Sequence, residues 1–387
     1  MKGRIFWLGA VVLALVLLCP ALAAAGAAVA AGYAHSLGIR ADGTLWAWGD
    51  NDYGQLGLGD LTSRSRPRRV GAASNWVAVA AGAYHSLGLK SDGSLWVWGL
   101  NYSGQLGLNH TTDQQVPVLV GTGWVAVAAG TWHSLGLKSD GTLWAWGYNG
   151  YGQLGLNNTT EQHAPTQVGT ASNWGAVAAG ELHSQGLKTD GTPYTLWAWG
   201  ANDYGQLGLN NTTEQHAPTK VGTASTWAVA AGGGYHTLAR RADGTLWAWG
   251  RNNFGQLGLS NTSEKHKPTQ VVGASNWVAV AAGAYHSLGR RADSSLWAWG
   301  YNGSGDLGVG NNSEQHAPTS VVGPSDWVAV AAGYYYSLGI RADGSFWAWG
   351  ANDYGQLGLG DDLNRNSPTP VRFSRALPGV YLLLLGD

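Results

Sequence analysis

The residues with chemical potential in this sequence come in series. His35, His85, His133, His183, His236 and His286 each precede Ser or Thr, and Tyr336 takes a seventh place, at spacings of 50, 48, 50, 53, 50 and 50 residues. A second set, His163, His216, His266 and His316, stands two residues before a proline in polar stretches. A third is the Asp-Gly pair, at Asp42, Asp92, Asp140, Asp190, Asp243 and Asp343. Imidazoles and carboxylates bind metals or move protons only where several converge on one point. One of each per unit spreads them apart, so the sequence predicts no metal, no cofactor and no catalytic centre. The first histidines are expected to bond neighbouring backbone, the second to sit on exposed loops, and the aspartates to form turns.

A period near fifty means that a repeated unit must position these side chains. Each unit reads W-V-A-V-A-A-G, x-x-H-S-L-G-L, K/R-x-D-G, L-W-A-W-G, x-N-x-x-G-Q-L-G, a polar stretch and P-T-x-V. Four short strands follow from it, shown in the second unit by Val77 to Ala81, His85 to Leu89, Leu95 to Trp98 and Pro117 to Val120. Asp92-Gly93 between the second and third suits a tight hairpin, because glycine supplies the positive φ. Four strands repeated seven times predict an all-β fold, a seven-bladed β-propeller of four-stranded antiparallel blades, over residues 24–373.

Side-chain size orders the strands within a blade. The Val-Ala run has the smallest residues and is expected nearest the axis, where blades crowd. Leu-Trp-Ala-Trp puts both Trp on one face and is read as glue between blades, buried on both faces. Each such Trp is worth at most ~4–6 kcal/mol for the roughly 150–250 Å² it buries. The first unit has Gly26 where later units have Trp76 and its counterparts, so the first blade is expected to be the weakest.

Composition narrows the setting. Among 387 residues there are 60 Gly, 22 Trp and a single Cys, and the formal charge is -1 from 22 basic and 23 acidic residues. So even a balance lacks the basic surplus that general nucleic-acid binding requires. Lys2 and Arg4, the apolar run from Ile5 to Leu18, Pro20 and Ala21-Leu22-Ala23 read as a secretory signal peptide over 1–23. The apolar run is too short to anchor in a bilayer. Cleavage would remove Cys19 and leave a secreted, periplasmic or cell-envelope protein with no thiol and no stable membrane span. Residues 374–387 form an apolar-ended tail with no assigned role.

The run G-x-x-H-S-L followed by D-G-x-L-W-A-W-G-x-N-x-x-G-Q-L-G resembles the regulator of chromosome condensation repeat, in phase over nearly all of residues 27–373. Asn51, Gly54, Gln55, Leu56 and Gly57 carry it in the first unit, Asn352, Gly355, Gln356, Leu357 and Gly358 in the seventh. The resemblance implies a seven-bladed propeller. The family's eponymous nuclear exchange factor is a poor guide to function, because an export signal and a neutral charge contradict its setting. A secreted bacterial inhibitor of β-lactamases is similar in compartment and implies a mode, protein binding through one loop-lined face.

That face is expected where the first-to-second and third-to-fourth loops emerge together. The short loops carry Tyr33, Tyr84, Trp132, Leu182, Tyr235, Tyr285, Tyr334 and Tyr335 near the channel mouth. Tyr and Trp give large contact area at low entropic cost. A second feature is a basic sector at Arg64, Arg66, Arg68, Arg69, Arg365 and Arg372, where the first and seventh blades meet. The sequence therefore predicts a non-enzymatic binding scaffold for a protein at or outside the cell envelope. The alternatives are a lectin-like binder of glycans or an enzyme-inhibiting propeller, and no nucleic-acid partner is expected.

Overall fold

The computed structural model describes residues 27–191, 193–273 and 275–373; the leader read at 1–23 and the tail at 374–387 lie outside the described residues. The chain forms seven four-stranded antiparallel sheets, each built from four consecutive strands. No helix occurs among the described residues. In the second blade the strands span Trp76–Ala81, His85–Lys90, Leu95–Gly99 and Gln114–Gly121. The first three match the sequence reading to within a residue. The outer strand begins earlier than Pro117, because proline at an edge costs no ladder hydrogen bond.

The Asp-Gly turn is built by side chains as well as by glycine. Asp92 Oδ1 accepts the Ser94 backbone N–H at 2.9 Å and its hydroxyl at 2.6 Å, and Ser94 Oγ accepts Trp96 Nε1–H at 2.9 Å. The Asp92 carboxyl is held below the usual range chiefly by the Ser94 hydroxyl. The D-G-S/T-L-W string is thus one hydrogen-bonded unit. At Asp293 the turn keeps the same bonds to Ser295 while Ser294 adopts φ 66° in place of glycine.

The two Trp of L-W-A-W differ, contrary to the expectation that both are fully buried. Trp98 is wholly buried and donates Nε1–H to the Gln55 carbonyl of the preceding blade at 2.8 Å. Trp96 is half-buried and lies under Lys90, whose Nζ stands 3.9 Å from the ring centroid. Both pack on the preceding blade's core; the half-buried one is in addition capped by a cation, an arrangement repeated by Lys138, Lys188, Arg241 and Arg291. A cation over an indole is worth about 0.5–1 kcal/mol at a wet site.

Among the described residues no strand is exchanged between the first and last blades, and the seam is closed by side chains and a few backbone hydrogen bonds. The first inner strand is short, Ala28–Ala31, and has no Trp. Phe373, just past the last strand, fills that place: its ring lies 5.2 Å from Trp46 and 6.1 Å from Trp48, with Arg40 above it at 5.5 Å. In the third blade Trp124 stands in the same relation to Trp144, Trp146 and Lys138. The short first inner strand without Trp is as the sequence implies, and the aromatic it lacks arrives from the other end of the propeller. Gly360 N–H also donates to the Ser65 carbonyl at 2.7 Å across the seam.

Candidate functional site

The inner strands enclose a central channel of about 550 Å³ lined almost wholly by Ala and Val, with Gln185 and Arg240 the polar exceptions. Small side chains are required there because seven strands converge on one axis. At the end where the first-to-second loops emerge, the channel opens into a mouth of about 410 Å³.

The predicted histidine bonds take a different partner. Each histidine reaches the next blade's hydroxyl rather than backbone, as in His85 Nε2 to Ser134 Oγ at 3.0 Å and His183 Nε2 to Thr237 Oγ1 at 3.1 Å. Ser134 in turn donates to the Gln105 carbonyl, so it accepts from an Nε2–H tautomer. Each ring is fully buried with Nδ1 unpartnered, and burial lowers its pKa from 6.5 to about 3. Gly82 is glycine because a Cβ there would overlap the His85 ring and the Gly130 carbonyl. Tyr336, in the seventh place, donates its hydroxyl to the His35 carbonyl. These residues join each blade to the next.

The second histidine set lies on outer strands, not loops. His216 is the second residue of Gln215–Lys220, half-exposed, with Nε2 2.8 Å from Glu214 Oε1. Its ring covers Gly152 of the preceding blade. Among the described residues no cluster of His, Cys, Asp or Glu could hold a metal.

The two loop sets do emerge on one face, as Leu100 N–H bonding to the Tyr84 carbonyl at 2.8 Å shows. Tyr33, Tyr84, Trp132, Leu182, Tyr235, Tyr285, Tyr334 and Tyr335 are all half-buried there. They split into two circles. Tyr33, Tyr84, Trp132 and Tyr334 line the mouth, whereas Leu182, Tyr235, Tyr285 and Tyr335 stand farther out. Five of the rings are continuous: Tyr33 to Tyr334 is 4.5 Å, Tyr33 to Tyr84 5.5 Å, Tyr285 to Tyr334 5.5 Å, and Tyr285 stacks on Tyr335 at 5.6 Å. Burial first, and then the neighbouring phenols, push Tyr84 and Tyr335 up to about 12.

Sequence reasoning missed a third circle from the long loops. Tyr53 packs on Tyr84 at 5.2 Å, Tyr204 on Tyr235 at 5.3 Å, and Phe254 on Tyr285 at 5.6 Å. Tyr53, Tyr102 and Tyr354 are 39%, 74% and 50% exposed, which puts them among the wettest large apolar side chains described. The aromatic before Gly-Gln-Leu-Gly was a readable signal for most of this circle.

It missed two charges as well. Glu181 occupies, in the fourth blade, the register held by Tyr33 and Tyr334 in others, and among the described residues it is the one charged residue lining the mouth. Burial raises its carboxyl to about 7, opposed by Arg251, and its Oε1 is unpartnered. Asp306 replaces the Gln of Gly-Gln-Leu-Gly in the sixth blade; burial raises it to about 7 too, while its Oδ2 accepts the Ser304 N–H at 3.1 Å, as the Gln side chains do elsewhere. Arg251 lies among the rings of Tyr204, Tyr235 and Tyr285 at 5.0–5.8 Å.

The predicted basic sector is smaller than its sequence. Arg64 pairs with Asp60 at 2.6 Å and Arg365 with Asp361 at 2.7 Å. Arg66, Arg68, Arg69 and Arg372 are exposed and form no ion pair with the described residues. Arg66 lies against Gly360 of the seventh blade, so the two blades do meet there.

A family model for the RCC1-like domain matches residues 18–233 and 121–381. The structure of yeast RCC1 (Prp20) bound to Kap60 is similar with 25% identity and a TM-score of 0.76, covering 85% of this chain and 83% of that one. Prp20p of Saccharomyces cerevisiae, studied for its binding to Gsp1p and histones, aligns at 25% identity and a TM-score of 0.77 over 85% and 86% of the two chains. Human WBSCR16 shares the fold at 22% identity, with a TM-score of 0.75 over 85% and 94%. The ultraviolet-B receptor UVR8 of Arabidopsis thaliana is 52% identical over 42 residues, 11% of this chain and only 10% of that receptor.

Proposed function

Because the chain belongs to the RCC1-like domain family, we propose that it is a binding scaffold which engages a protein partner through the aromatic face around the channel mouth. One observation carries this reading: three circles of aromatic side chains share a single face, and Tyr102 and Tyr354 are half or more exposed on it. Aromatics cost a protein solubility when wet, and rigid aromatic side chains supply most of the energy at interface hot spots. The yeast relative's structure with Kap60 and its binding to Gsp1p and histones support a protein as the partner class. The leader-like segment at 1–23 supports an exported protein and hence a partner at or beyond the envelope.

Site-specific photo-crosslinking tests the reading. A benzophenone side chain at Tyr102 or Tyr354 is expected to trap a discrete protein. The same group at Asp92, on the opposite face, is expected not to. A purified partner found this way must then bind Tyr285→Ala more weakly than the parent protein. Equal trapping from both faces, or adducts with glycan alone, would replace this proposal.

A further inference from the structure

The fourth blade places a carboxylate where the other blades place neutral side chains. The register after the Gly of the inner strand reads Tyr33, Ala83, Thr131, Glu181, Gly234, Ala284 and Tyr334. Glu181 and Gly234 are adjacent in space, and the pair is complementary. A Cβ at position 234 would stand 3.0 Å from Glu181 Oε1 and 2.7 Å from the Ala284 carbonyl, so glycine makes room for the carboxylate to lean across the next blade. The Glu181 backbone is fixed at both ends, its N–H bonding the Gly233 carbonyl at 3.2 Å and its carbonyl accepting Thr131 N–H at 3.1 Å. The carboxylate is therefore positioned, yet its Oε1 has no partner.

Its immediate neighbours at the mouth are Thr131, Gly233 and Gly234. Tyr33 and Tyr334, on the first and seventh blades, line the same mouth, and Tyr235 of the fifth blade lies within reach of the Glu181 charge. Arg251 is the cation whose charge reaches Glu181, but it is held among Tyr204, Tyr235 and Tyr285 and forms no ion pair with the described residues. A buried carboxylate without a counter-ion is expensive to leave uncompensated. A carboxylate at an open mouth selects a positively charged guest, and aromatic rings lining the same opening favour a cation over an anion. The mouth is open at about 410 Å³, room for an alkyl stem with an ammonium head, and Ala and Gly of the loop bases supply the apolar wall such a stem needs.

We propose that the channel mouth is a binding site for an alkylammonium group, with Glu181 as its counter-ion and with Tyr33 and Tyr334 lining the same mouth, and that a lysine side chain of a protein docked on the aromatic face supplies this group. The source of the ammonium rests on the proposed function above; the site itself does not.

The test is saturation-transfer NMR of the full chain with butylammonium and its neutral analogue 1-butanol. Two capped tripeptides extend it, Gly-Lys-Gly and the same peptide with norleucine for lysine. Butylammonium and the lysyl peptide are expected to bind, and their neutral analogues at least tenfold more weakly. Glu181→Gln, which keeps the shape, is expected to abolish the preference for charge without moving the melting temperature downward. Asp353→Asn, an exposed carboxylate on a long loop, is expected to leave it intact. Arg251→Gln removes a competing positive charge and is expected to tighten binding. No butylammonium signal, or equal signals from the parent and Glu181→Gln, overturns the site. Butylammonium binding without lysyl-peptide binding overturns lysine as the source. Either failure leaves the crosslinking result on the aromatic face standing, so the two readings fall separately.

Discussion

The Nε2 atom of His35 lies 3.0 Å from the Ser86 hydroxyl of the next blade, and Ser86 passes the bond on to the Gln55 carbonyl. Five more histidines repeat this relation around the ring, in chains such as His236 to Ser287 at 2.9 Å. The relation fixes a neutral Nε2–H tautomer in a dry site. It makes blade cohesion depend on the protonation state of histidine.

Acid is therefore expected to unfold the propeller steeply. Each buried histidine is lowered from 6.5 to about 3, so between those limits the unfolded chain binds protons that the folded one refuses. The histidines' contribution is full above 6.5 and falls with pH below it, by up to ~8 kcal/mol per pH unit if they act together. Against a common stability of 5–15 kcal/mol, tryptophan fluorescence and circular dichroism are expected to show complete unfolding about two pH units below 6.5. A protein that stays folded at pH 4 would contradict the neutral ring.

The carboxyl of Glu181 has the opposite sign. Its folded value of about 7 exceeds the ordinary 4.5, so it favours folding fully below 4.5, and that advantage is lost as pH rises through about 7. The difference in unfolding free energy between Glu181→Gln and the parent is expected to grow from near zero at pH 4.5 to a plateau above 7. The plateau is at most roughly 3 kcal/mol in favour of the variant. Urea melts across this window measure it, and a difference that does not vary with pH would remove the raised carboxyl.

Phe373→Ala is expected to loosen the seam. It deletes the ring that packs on Trp46, Phe346 and Trp48, and roughly 3 kcal/mol is the low end for truncating a packed phenylalanine. Hydrogen exchange is expected to show the first blade losing protection before the third, whose Trp124 is supplied by its own inner strand. Uniform loss around the ring would show that Phe373 closes nothing.

Tyr336→Phe probes the same seam from the inside. The phenol hydroxyl donates to the His35 carbonyl and accepts from Ser36 Oγ at 3.1 Å, both fully buried. Its loss is expected to cost about 1–2 kcal/mol in chemical denaturation. An unchanged midpoint would show that water replaces the hydroxyl.

Trp132→Ala and Tyr285→Ala are expected to weaken a partner bound on the aromatic face while lowering the melting temperature little, because both side chains are half-exposed. Binding is to be read with a purified partner, alongside melting curves. Parallel loss of stability and affinity would make the aromatics covers for the inner strands' ends.

The fold was legible because period, turn chemistry and side-chain size agree. Asp92-Gly93, the small residues of Val77 to Ala81 and the paired tryptophans each constrain one strand, and seven copies remove ambiguity. The site was legible in part. Tyr33, Tyr84 and Trp132 were found from their position beside the inner strand, and they line the mouth. Tyr53 and Tyr204 were not, because their contacts are with the next blade and no spacing within a unit shows that. Glu181 was invisible as a site residue for a related reason: a carboxylate in a loop reads as solvated until its burial and the glycine opposite it are seen.

The sequence by itself determined what local rules decide, namely the number of units, their strands, their hairpins and which strand crowds the axis. These follow from φ preferences, alternation and side-chain volume, all of which act over a few residues. Only the tertiary structure decided what depends on neighbours across blades: that His35 bonds Ser86 rather than backbone, that Phe373 completes the first blade, and that Glu181 Oε1 finds no partner among the described residues. Desolvation, packing and unmet charge are properties of an assembled surface, and this chain assembles that surface from residues about fifty, and at the seam about three hundred, positions apart.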